Sequence, residues 1–132
     1  MSSSAAFEVL IGNILSGLYN DMKIDPVFLA QAGQYAENVY FGKPCGLMDQ
    51  MASSIGGLIN IDFEDPQSPK IKKVEVDFEE YGHSLCIVDT KGSHADLTDD
   101  YAAIPYEMKK VANYFNQEAL RSVSYTHLTL PT

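Results

Sequence analysis

The sequence is poor in cations. Nine Lys and Arg stand against eighteen Asp and Glu, a net charge of -9 over 132 residues. That deficit argues against nucleic acid or an anionic membrane as partner, since both need a basic face. Cysteine is scarce too: Cys45 and Cys86 make no disulfide framework and fit reduced thiols in a cytoplasmic protein. No apolar run approaches membrane-spanning length. The N-terminus has no Lys or Arg ahead of its apolar stretch and carries Glu8, which makes a poor signal peptide. A Walker-type loop, a GxGxxG and a nucleophile elbow are all missing. His83 and His94 do not fall at zinc-ligand spacing, and neither cysteine has a partner that does.

What is present fits one soluble domain or part of a larger one, with 45% hydrophobic and 20% charged residues. Ser2-Ser3-Ser4 opens a helix, because a serine hydroxyl accepts from the free amides of a first turn. Phe7, Leu10, Ile11, Ile14, Leu15 and Leu18 then keep the spacing of one buried stripe. Gly12 and Gly17 within it suggest close packing against a neighbour. Asp25-Pro26 starts a second helix, with Asp25 as cap, and Gly42 ends it. Its apolar positions are Phe28, Leu29, Ala32, Tyr35, Ala36, Val39 and Tyr40. A third, short helix carries Leu47, Met48, Met51, Ala52 and Ile55 and stops at Gly56-Gly57.

The period then changes from helical to alternating. Ile59, Ile61 and Phe63 read as one strand; Val74, Val76 and Phe78 read as another, joined through Asp65-Pro66-Gln67-Ser68-Pro69. The unbroken run Leu85-Cys86-Ile87-Val88 reads as a central, doubly buried strand with Cys86 in the core. Pro105 divides a short turn at Tyr101 to Ile104 from a helix over 105–119 whose buried side is Met108, Val111, Ala112 and Phe115. Helices, then strands, then a helix give the fold class α+β. The tail from Val123 to Thr132 breaks the helical pattern and reads as translated sequencing adapter; it is set aside, and His127 with it.

Three features carry chemistry. The serine run offers hydroxyls and amides at a helix N-terminus, a place suited to nucleotide phosphates; the alternative is the Ser-rich start of a fragment. Glu37 sits near a helix end, where the dipole disfavours a carboxylate. It is either a solvated or ion-paired surface residue or a metal ligand. Asp49 follows the loop Gly42-Lys43-Pro44-Cys45-Gly46 and lies in the first turn of the third helix, where the dipole favours its charge. It is either an ordinary helix start or a carboxylate that takes or orients a substrate hydroxyl's proton during attack on a γ-phosphate. Phosphoryl transfer asks mainly for positioning and charge neutralisation, and Mg²⁺ often takes one or two ligands from protein.

Ser2-Ser3-Ser4-Ala5-Ala6, Ala36-Glu37-Asn38 and Cys45-Gly46-Leu47-Met48-Asp49-Gln50, with Asp89-Thr90, His94 and Tyr101 following in order, resemble the galactokinase family of the GHMP small-molecule kinases. The likeness runs from Ser2 to about Arg121, and the Cys-Gly-Leu-Met-Asp-Gln stretch is its specific part. It implies a partial GHMP-kinase fold: residues 1–80 as the C-terminal part of the N-terminal, ATP-binding domain, 81–122 as the start of the C-terminal domain, and 123–132 as non-native tail. It implies ATP and Mg²⁺ as cofactors, and galactose phosphorylated at its anomeric hydroxyl to galactose 1-phosphate. Ser2, Ser3 and Ser4 would line the triphosphate, with Ser4 and Glu37 on the metal. Asp49 would be the catalytic carboxylate, and Gly46, Asp49 and Tyr101 would contact the sugar. The full-length parent is expected to be a cytoplasmic monomer.

The sequence departs from the family pattern in several places. The N-terminal Gly-Glu-His-x-Asp-Tyr motif and the late glycine-rich motif are absent, Met1 replaces the Gly-Leu before the serines, and Ile104 replaces a common arginine. An internal fragment, inactive alone and with uncovered apolar faces, is therefore expected. A galactokinase-like sensor, a degenerate gene fragment, or a sister kinase acting on a sugar such as N-acetylgalactosamine are the alternatives.

Overall fold

The computed structural model describes residues 3–65, 67–89 and 98–123. Ser2, Thr90 and His94, and the tail beyond Val123, lie outside the described residues. In order, the elements are α1 (Ser3–Tyr19), α2 (Pro26–Tyr35), a π-helical turn (Ala36–Tyr40), α3 (Met48–Ile55), β1 (Ile59–Asp62), β2 (Lys70–Lys73), α4 (Thr98–Tyr114) and a 3₁₀ turn (Leu120–Ser122). The class is α+β, as the order of periodicities implies.

Local chemistry explains the helix ends. Asp25 Oδ1 accepts from Val27 N at 2.8 Å and Phe28 N at 3.2 Å, with Pro26 at the first helical position. Gly56 ends α3 at φ 71°, a left-handed conformation that costs glycine nothing. The turn between α1 and α2 hangs on buried Ser16. Its carbonyl accepts from Asn20 N and Met22 N, and its hydroxyl accepts from Ile24 N at 3.4 Å.

Contacts divide the chain into two units. One takes Met1–Asn60 and Lys72–Ser93; the other takes Ile61–Ile71 and His94–Thr132. In the first, α1, α2 and α3 pack on one another. Met51 is fully buried, and Ala5, Val9, Leu29, Ala30 and Leu47 surround the same core. Ser54 Oγ donates to Pro26 O at 2.7 Å and ties α3 to the start of α2. In the second unit, α4 packs on the 3₁₀ turn, with Ala112 and Val123 buried. There the Arg121 guanidinium grips Asp62 with two bonds, of 3.0 and 2.8 Å.

Several expectations are corrected here. The bulky stripe of α1 is not the buried one: Phe7, Leu10, Ile14 and Leu18 are all exposed. The buried residues are Ala5, Val9 and Ser16, with Gly12 half-buried on the same face. An added Cβ at Gly12 would run into Leu29 Cδ2, so small residues are what let α2 come close. Phe28 and Tyr35 on α2 and Val39 and Tyr40 in the π turn are likewise exposed, and Leu29, Ala30 and Gly33 go inside. Met48 is exposed, so the core takes one methionine of the pair.

The second strand is also displaced. It is Lys70–Lys73 rather than the stretch from Val74, although Val74 N still donates to Leu58 O at 2.9 Å. The short connection makes the pair an antiparallel hairpin, the sheet of the described residues. Leu85 to Val88 forms no strand, and Leu85, Ile87 and Val88 are about four-fifths exposed, with Cys86 exposed as well. A strand buried on both faces needs strands at its sides and cover above and below; nothing described in this chain supplies them. Finally, α4 runs from Thr98 through Pro105 to Tyr114, although the proline leaves its turn one N–H short.

Candidate active site

The first unit gathers five of the sequence-derived residues. Ser3 and Ser4 lie in the first turn of α1, both exposed, with the free amides of a 17-residue helix around them. Glu37 lies in the π-helical turn. Gly46 lies in the loop before α3, exposed, where an added Cβ would touch nothing within 4 Å. Asp49 stands exposed in the first turn of α3. Tyr101 belongs to the second unit, half exposed on α4.

Glu37 is not a solvated surface residue. Its side chain is 4% exposed, and Lys43 Nζ lies 3.1 Å from its Oε2. The π turn makes this possible. Phe41 N donates to Ala36 O at 3.2 Å and Lys43 N to Glu37 O at 3.0 Å, so the chain makes a wide turn that folds the loop back over Glu37. Single π turns within helices recur at functional sites.

Behind Glu37 lies a cluster that sequence reasoning missed. Glu8 projects from α1, and its Oε2 is buried without a hydrogen-bond partner. Burial holds the Glu8 carboxyl above its ordinary range, and the charge of Glu37 adds to this; Lys43 and the Gln50 amide pull the other way. Gln50, next to Asp49, is fully buried, and its Oε1 is unpartnered. Gly33 makes room for both: a Cβ there would meet Glu8 Oε2 at 3.3 Å and Gln50 Cγ at 3.4 Å. One signal was available. Glu8 falls four residues after Ser4, hence on the same face of α1, and is the one charged residue of that helix. Burial also raises the Cys45 thiol, so it is no activated nucleophile.

A carboxylate already pairing an ammonium, beside a buried acceptor lacking a donor, is an environment that welcomes a cation. No group of three or more His, Cys, Asp or Glu forms a metal site among the described residues. Mg²⁺ asks less, since it usually keeps waters and takes one or two protein oxygens. The hollow lined by Leu58, Val74, Glu75, Val76, Asp77 and Glu80 lies outside this group of residues and presents carboxylates, the wrong sign for phosphate. No described helix is long and apolar enough to cross a membrane.

Comparison with known proteins gives this geometry a context. Residues 1–57 match the family model described as "GHMP kinases N terminal domain". The galactokinase of Actinobacillus pleuropneumoniae serotype 3 is 33% identical over 124 residues, which is 94% of this chain and 31% of that protein. The galactokinase of Streptomyces coelicolor is 34% identical over 128 residues, 97% of this chain and 33% of that protein. That of Glaesserella parasuis serovar 5 is 34% identical over 124 residues. The chain thus spans about a third of the length of these relatives. No solved structure matches it significantly. Residues 1–57 are thus similar to a GHMP kinase N-terminal domain, and nearly the whole chain is similar to about a third of these galactokinases.

Proposed function

We propose that the protein carrying this segment phosphorylates galactose at its anomeric hydroxyl, with ATP as donor. The observation that carries the reading is that Glu37, buried and cation-paired, and Asp49, exposed at a helix start, flank one loop in a stretch similar to galactokinases.

In this reading, Ser2, Ser3 and Ser4 and the first amides of α1 receive the triphosphate, where the helix dipole favours negative charge. Ser4 and Glu37 would hold Mg²⁺, which would supply positive charge to offset that of the phosphates. Gly46 and Tyr101 contact the sugar. Asp49 accepts the hydroxyl proton as that oxygen bonds to the γ-phosphorus and the bond to ADP breaks, leaving galactose 1-phosphate and ADP. The exposure of Asp49 suits a group that must meet substrate from solvent.

Residues 1–80 would complete the ATP-binding domain, 81–122 would begin the C-terminal domain, and 123–132 would be non-native. The full-length protein would be a cytoplasmic monomer. The 132 residues alone would show little or no turnover, because the Gly-Glu-His-x-Asp-Tyr sugar motif and the late glycine-rich motif are not among them.

In the full-length protein, Asp49→Ala should abolish galactose-dependent ADP release while leaving ATP binding within about twofold; unchanged turnover would remove Asp49 from the chemistry. A panel including N-acetylgalactosamine tests the sister-kinase reading, and nucleotide binding without turnover on any sugar would favour a sensor.

A further inference from the structure

We propose that Asn38 is a positioning residue for the sugar-facing loop, acting through the backbone of Cys45; this rests on the galactokinase reading above. Cys45 is held at three points. Its N–H donates to Asn38 Oδ1 at 2.8 Å. Its carbonyl accepts from Gln34 Nε2 at 3.3 Å and from Asn38 Nδ2 at 3.4 Å. Its Sγ accepts from Gln50 Nε2 at 3.6 Å. The two backbone groups leave no choice of amide orientation: an N–H can only donate and a carbonyl can only accept, so Asn38 must present its oxygen to one and its nitrogen to the other.

The bonds are unequal. The 2.8 Å bond has good length, whereas those to the carbonyl lie at the long end and share one acceptor. The acceptor on Asn38 therefore carries most of the hold.

The consequence falls on the next residues. Leu47 is buried and α3 is anchored by Met51, so the helix keeps its own place. Gly46 has no such anchor, being exposed with nothing near its missing side chain. Between a pinned Cys45 and a buried Leu47 its path is fixed; with Cys45 released it is not. Asn38 also follows Glu37 directly and sits in the π turn, so one short segment orients both the metal-side acid and the sugar-side loop.

The test has two arms. In the full-length protein, Asn38→Ala should raise KM for galactose about tenfold, the scale of one lost hydrogen bond, with KM for ATP unchanged and kcat within about threefold. Asn38→Asp, which keeps the strong acceptor, should return KM for galactose to within about threefold of wild type. Independently of any activity, amide hydrogen exchange at Cys45 should accelerate about tenfold in Asn38→Ala and stay slow in Asn38→Asp. Unchanged exchange at Cys45 in Asn38→Ala overturns the proposal whatever the kinetics. So does an equal rise in both KM values, which marks a general loss of structure. If wild type turns over no galactose but Cys45 exchange responds as stated, the galactokinase reading fails and the hold of Asn38 on the loop stands.

Discussion

Lys43 Nζ reaches Glu37 Oε2 at 3.1 Å from a position on the far side of the π turn, where the lysine is more than half exposed and the glutamate almost wholly buried. The pair is unequal by construction. Water can replace the glutamate for the lysine, but not the lysine for the glutamate. Lys43→Met should therefore cost about 1–2 kcal/mol, between the values for exposed and buried pairs. Glu37→Gln in the same background should recover most of it. Urea unfolding of the four proteins gives the cycle; an effect of Lys43→Met under a few tenths of a kcal/mol would show the pair to be idle.

Glu8 should make stability fall as pH rises. Its carboxyl titrates above the ordinary range when folded, chiefly through burial. Between the ordinary glutamate value, about 4.3, and the raised one, the native state holds the extra proton, so the stabilising contribution is full below that window and lost as pH climbs through it. Glu8→Gln should flatten this slope and be more stable than wild type at pH 7. Thermal melts from pH 4 to 8 measure it, and a parallel slope in both proteins would dismiss the residue as its source.

Asp62 should behave oppositely. The Arg121 guanidinium, with two bonds to its carboxylate, holds that carboxyl below the usual range. Its contribution is present at neutral pH and disappears as the solution is acidified past the depressed value. By carboxyl NMR, Arg121→Met should bring Asp62 back to the ordinary aspartate range; no movement would mean that the pair does not persist in solution.

Met51→Ala should be the most damaging core change. The side chain is fully buried among three helices, and large-to-small changes at such sites cost about 2–5 kcal/mol. Met48→Ala, three residues earlier and exposed, should cost under about 0.5 kcal/mol by the usual range for surface changes. Comparable losses of helical circular dichroism in the two variants would contradict the assignment of the core.

Gly12→Ala sets two effects against each other. Alanine favours the helix by about 1 kcal/mol, but its methyl runs into Leu29 Cδ2. Overpacking costs about 1–3 kcal/mol, so the variant should be destabilised on balance. Pairing it with Leu29→Ala should relieve the clash, and a double variant no better than the sum of the singles would refute close packing there.

Much of the local structure was legible from residue types alone. Asp25-Pro26, Gly56 and the alternation around Ile59 and Ile61 act within a few residues, through caps, left-handed turns and pleat. What went wrong went wrong at longer range. Periodicity marks an apolar stripe on α1, but it says nothing about which face meets a partner; close helix packing at Gly12 buried Ala5, Val9 and Ser16 instead of the bulky side. The same limit applies to Leu85 to Val88, whose apolar run called for flanking strands that the described residues do not provide.

The sequence by itself determined the α+β order of elements, the acidic balance and the family likeness, because caps, periods and motifs are written in neighbouring residues. The tertiary structure alone decided that Glu37 is buried under Lys43, that Glu8 and Gln50 meet over Gly33, and that Asn38 holds both backbone groups of Cys45. Each depends on helices crossing at particular distances and on one wide turn. Spacing in the chain carries no record of either.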